Sequence, residues 1–123
     1  MRGVDRKLSL GWRKEASKIL SSEFTVVHAM RGREIKETFS DYRAAVARDI
    51  SDIKNADILL VNDVLDGVSM IGTSMEIFFA HSLNKPIIIF GNAHEKDYWL
   101  NYHTHTRLKN LGAACKYLKS FFS

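Results

Sequence analysis

Two carboxylates stand where an apolar residue would be expected. Glu76 lies in GTSMEIFFAHSLN, residues 72–84, a segment that reads as a helix apolar almost all the way round. Residues three, four and seven apart share a helix side, so Glu76 aligns with Gly72, Phe79, Ala80 and Leu83. Asp49 falls on the Tyr42, Val46, Ile50, Ile53 stripe of the preceding segment, DYRAAVARDISDIKNA. An ionised carboxylate on an apolar face is costly unless it is partnered or functional. A place near a helix N-terminus lowers that cost for Glu76, because the helix end carries partial positive charge. Gly72, with the small Thr73 and Ser74 beside it, would let a ligand come close to the backbone. A buried cap or salt bridge explains either acid alone equally well. Two of them near one end of a sheet favour chemistry. Paired carboxylates suit glycosidic bonds: one attacks the anomeric carbon and carries the sugar as an ester, and the other protonates the leaving group.

The elements that must place these acids are legible from the pattern. LGWRKEASKILSS reads as a helix capped by Ser9, with Trp12, Ala16, Ile19 and Leu20 on one face. EFTVVHA has strand composition. DYRAAVARDISDIKNA is predicted helical, and DILLVN and KPIIIFG are strands apolar on both faces, as inside a parallel sheet. Residues 97–102 are expected to form a short helix and residues 106–109 a short strand. LGAACKYLKSFF closes the chain as an amphipathic helix. Strands alternating with helices predict an α/β fold, a parallel sheet with helices on both faces. Ligands in such folds bind beyond the carboxyl ends of the strands, which directs attention to the loops after Val27, Val61 and Phe90.

Composition narrows the class. A chain of 123 residues, 46% hydrophobic and 26% charged, suggests a single domain over residues 1–123. No apolar run approaches the ~20 residues of a membrane span, and MRGVDRKLSLGW lacks the apolar core of a secretory signal. One cysteine, Cys115, excludes an internal disulfide and fits a reducing, cytoplasmic setting. It shares a helical stripe with Leu111, Ala114, Leu118 and Phe122 and is expected to be buried. The net charge of +4 fits anionic small molecules and an ordinary solvated surface equally well; without a recognition motif or basic-aromatic repeat, nucleic acid is not an expected partner.

The ordered set RDISDIKNADILLVN…IGTSMEIFFAHSLNKPIIIFG resembles the nucleoside 2-deoxyribosyltransferase family, including its deoxynucleoside 5′-monophosphate N-glycosidase branch. The family pattern is an Asp on the helix before a strand, then AD and an apolar strand, then GTxxE opening a helix that ends in KP and another strand. The resemblance covers roughly Arg2 to Phe122. It implies a flavodoxin-like doubly wound fold, no cofactor and no metal, and a homodimer or higher homo-oligomer with the site beside the subunit interface. By position it makes Glu76 the nucleophile that takes 2-deoxyribose from the base, and Asp49 the acid or base that handles the base's proton. It places Arg2 and Gly3 in a loop meeting the 5′ end of a nucleoside or nucleotide substrate. Gly72 and Thr73, in the GTxxE motif that opens the Glu76 helix, are also expected to bind the substrate. Met70 stands where the family has a Ser or Asp for the 5′ group, so Ser69, one residue back, is expected to serve instead. The family also opens with a strand ending in a GP or GS turn, which has no counterpart here. Either the natural chain begins upstream or the sheet closes by pairing FTVVHA with DILLVN.

Other residues have plainer expectations. His103 and His105 are expected at the surface or in a strand rather than on a metal. His81 lies off the Glu76 face and should pack, and Trp99 and Tyr102 should cover the core. Residues 30–37 have the length and polarity of a lid. Asp66 with Gly67 reads as a turn.

Overall fold

The computed structural model describes residues 6–27, 42–64 and 70–122. The elements are α1 (Arg6–Leu20), α2 (Tyr42–Asn55), β1 (Leu59–Asn62), α3 (Ile71–Ser82), β2 (Ile87–Phe90), α4 (Tyr98–His103), β3 (Thr106–Leu108) and α5 (Leu111–Phe122). Among the described residues, three strands form one parallel sheet in the order β1-β2-β3. The central strand, Ile-Ile-Ile-Phe, is buried throughout, as a strand with layers on both sides must be.

Alternation along β2 divides the core. Ile87 and Ile89, with Val61, meet Ile53 of α2, Ile77 and Ala80 of α3, and Leu100 of α4. Ile88 and Phe90 meet Ala16 and Leu20 of α1 and Ala114, Cys115 and Leu118 of α5. Each fully buried Ile or Leu stabilises the fold by about 1.5–3 kcal/mol relative to an exposed position. The expected two-sided α/β sheet is therefore present, and Cys115 lies buried in it.

Local signals set the element ends. Asp97 accepts from the Leu100 amide at 2.9 Å and caps α4. Asn110 does the same for Ala113 at 2.8 Å at the start of α5. Past the end of α3, Asn84 takes a left-handed conformation, φ 60°. Lys85 then donates through Nζ to the carbonyls of Lys54 and Ala56, tying the end of α2 to the approach of β2.

The structure corrects several expectations. Helix α1 already includes Ser9, which is not its cap. Residues 72–84 were expected as a helix; α3 runs from Ile71 to Ser82. On α2, Ile53 is buried but Tyr42, Val46 and Ile50 are exposed, because the α2 face of the sheet is filled largely by α3 and α4 and only the last turn of α2 reaches it. Strand β1 pairs with β2 alone among the described residues, and residues 25–27 form no strand. Closure of the sheet through FTVVHA is thus not seen in its described part.

The ladder fixes which backbone groups of β1 remain at the edge. The Leu59 amide donates to the Pro86 carbonyl at 3.0 Å and the Asp63 amide to the Phe90 carbonyl at 2.8 Å. In a parallel pair alternate residues face the same neighbour, so Leu60 and Asn62 direct their amides away from β2.

Candidate functional site

Asp49 and Glu76 line the same cleft. Its volume is about 890 Å³. One wall is α1 with Trp12, Ala16 and Leu20, and another is the free side of β1 with Ile58 and Leu60. Residues Thr25–Val27 lie along it. Asp49 comes from α2 and Glu76 from α3, two helices packed against each other. Both acids are half-buried, and Asp49 Oδ1 is shielded from solvent. The acids do share a cavity, as their helical positions suggest. The cleft follows the edge of β1, however, and does not simply cap the strand ends.

Trp12 adds a polar atom to these apolar walls. Its ring packs edge-on against Phe90 at 5.3 Å, and its Nε1–H is buried with no hydrogen-bond acceptor among the described residues. Such a donor can take a ligand oxygen.

The other expected substrate residues are dispersed. Gly72 is exposed in the first turn of α3, with open space where a Cβ would point, and Thr73 is half-buried beside it. Neither lines the cleft. Arg2, Gly3 and Ser69 lie outside the described residues, as do the 30–37 loop and Asp66.

A second cavity lies between α3 and α4 and reaches the loops that follow β1 and β2. It measures about 350 Å³ and is lined by residues of α3 and α4 with Met70, His94 and Asp97. Its inner support is a buried network that pattern reading did not single out. Asp63 follows β1 directly and its side chain is 0% exposed. Its Oδ1 meets His94 Nδ1 at 2.6 Å, and its Oδ2 accepts from Arg107 Nη1 at 2.7 Å and from the His94 amide at 3.0 Å. Arg107 Nη1 also donates to the Gly91 carbonyl at 2.7 Å. A carboxylate removed from water needs partners of this kind, and Arg107 supplies the balancing charge.

Gly91 makes the network possible. Its φ is +100°, and a Cβ there would strike the Asp63 carbonyl. Only glycine combines this conformation with such a close approach. The turn brings the loop back so that the Ala93 amide reaches the Asp63 carbonyl at 2.9 Å.

Three other histidines stand together, with the His81 ring 4.6 Å from that of His103 and 6.1 Å from that of His105. His103 is buried and its Nδ1 donates to the Trp99 carbonyl at 2.7 Å, contrary to a surface position. His105 Nδ1 accepts from the Ile87 amide at 2.9 Å. His81 packs against the rings of Tyr102 and His103 at 5.5 and 4.6 Å, in line with a packing role. Trp99 and Tyr102 do not cover the core: they are 76% and 74% exposed, because Leu100 and His103 take the inward side of the short α4. No cluster of three or more metal-ligating side chains occurs among the described residues, and none of their helices is long and apolar enough to cross a membrane. No protein-family model matches the chain, and no curated protein does.

Proposed function

We propose that the chain cleaves or transfers the N-glycosidic bond of a 2′-deoxynucleoside or its 5′-monophosphate, on a flavodoxin-like doubly wound domain. The observation that carries this reading is that Asp49 and Glu76, from two packed helices, both line one cleft. Glu76 attacks C1′ of the sugar as the bond from C1′ to the base nitrogen breaks. The base leaves with the bonding electrons and takes a proton from Asp49. Water or a second base then attacks C1′, gives its proton to Asp49 and releases the Glu76 carboxylate. The Glu76 carboxylate faces the developing positive charge on the sugar, while Asp49 enters that step as the protonated acid. The Trp12 donor is available for a sugar or phosphate oxygen.

The test is incubation with deoxynucleosides and deoxynucleoside monophosphates, with and without an acceptor base, followed by detection of free base. Base release that disappears in Glu76→Ala is the expected result. Release undiminished in that variant would sink the mechanism.

A second reading is a nucleotide-binding protein without turnover. It is favoured by the breadth of the cleft, about 890 Å³, along which β1 has no second strand partner among the described residues. Recovery of an intact nucleotide from a thermally stabilised complex would decide for it. A homo-oligomer belongs to the first reading. Tyr42, Val46 and Ile50 of α2 and Ile71 and Met75 of α3 are the exposed apolar residues a second copy would cover. Mass measurement in solution tests that part, and a monomer at high concentration removes it.

A further inference from the structure

We infer that the pocket between α3 and α4 is a second ligand site, one that takes a planar heteroaromatic ring donating an N–H to His103 Nε2. The inference goes beyond the carboxylate cleft and needs neither Glu76 nor Asp49.

Shape comes first. The cavity of about 350 Å³ lies at the small end of the range for ligand pockets, enough for one or two fused rings. Phe78 and Trp99, both largely exposed, border the mouth of the cavity, with Ile77 and Leu100 between the helices. Phe78 already meets the His103 ring edge-on at 5.8 Å. Aromatic faces set in this way favour another flat ring over a branched aliphatic ligand.

Polarity then selects within the class of flat rings. The Trp99 carbonyl can only accept, so His103 Nδ1 carries the hydrogen of the bond between them. In a neutral imidazole the other nitrogen is then an acceptor. His103 is buried, and a ligand that enters without a donor strips Nε2 of water and returns nothing, which weakens binding. The His94 ring, which also lines the cavity, is fixed as well: Asp63 holds His94 through Nδ1 and through its backbone amide. A pre-set wall costs a ligand little ordering on arrival. Ser74 and Asp97 at the rim add oxygen acceptors for further N–H groups, so the pocket as a whole favours donor-bearing rings.

Two probes of nearly equal size isolate the donor. Benzimidazole has a ring N–H, and 1-methylbenzimidazole lacks it. Titrated into the unaltered protein and followed by NMR, benzimidazole should shift the Trp99 indole and His103 ring resonances. The methylated probe should bind about tenfold more weakly, the effect of one unmet hydrogen bond. Glu76→Gln should leave both affinities unchanged, which separates this site from the cleft chemistry. His103→Phe should make the two probes equal. Should that variant fail to fold, the two probes on the unaltered chain decide the matter. Equal binding of both probes, silence at Trp99 and His103, or shifts confined to Trp12 and Leu60 would overturn the inference.

Discussion

The two cavities share a helix and differ in nearly every other respect. Glu76 of α3 faces the larger cleft, while Ser74, Ile77 and Phe78 of the same helix line the smaller pocket. The cleft runs beside the open side of a strand, and its charged groups stand on neighbouring helices. The pocket lies between two helices, and one side of it is braced by a carboxylate, an imidazole and a guanidinium drawn from three separate segments. Helix periodicity alone can place the first kind of group. Only the assembled sheet can place the second.

The largest expected effect tests whether the cleft is reactive and the pocket is not. Glu76→Ala should lower base release by about 10³-fold or more, as loss of a covalent nucleophile does, while the melting temperature and benzimidazole binding stay near their original values. Next in size is the brace under the pocket. Asp63→Ala leaves Arg107 as a charge with its buried partner gone, and urea unfolding should show a loss of about 3–5 kcal/mol. Asp63→Asn should lose less, since the amide oxygen still accepts from one donor. A loss in Asp63→Ala no larger than that of an exposed carboxylate would mean the brace carries no strain-free advantage over solvent.

Cys115 gives a smaller signal, from the α1–α5 core that also walls the larger cleft. Burial pushes its thiol above the ordinary value, opposed by Lys119 and reinforced by Glu15. Alkylation by iodoacetamide should therefore be far slower in the folded chain than in urea. The pH effect has a definite sign. The unfolded thiol loses its proton first as pH rises, the folded state then holds more protons, and stability falls with further alkalinity. Cys115→Ala should flatten that alkaline limb. The smallest change belongs to Glu23, whose contact with Lys119 at 4.0 Å is solvent-exposed. Glu23→Ala should shift stability by no more than about 0.5 kcal/mol in a urea titration.

Much of the scaffold could be read in advance from strong patterns. The run of three isoleucines and a phenylalanine became the central strand, and LGAACKYLKSFF became α5 without a change of boundary. Patterns that depend on how far a neighbour reaches were less informative. The α2 stripe is regular, yet three of its four apolar residues look outward, because periodicity gives a face and not the element that covers it. Trp99 and Tyr102 failed for a related reason, since a helix as short as α4 can turn only one side to the core. The acids of the cleft were legible because each interrupts an apolar stripe. Asp63 was not, because its partners stand 31 and 44 residues away and nothing local reports them. One signal was present: an Asp placed directly after an apolar strand, ILLVND, at the end of the sheet where ligands gather.

The edge of β1 has a consequence for solvent exchange. Since Leu59 and Asp63 give their amides to the central strand while Leu60 and Asn62 turn theirs outward, deuterium should enter this short strand at every second position. Slow and fast amides would alternate along four consecutive residues. An even rate along the strand would mean that in solution something already lies against its outer side.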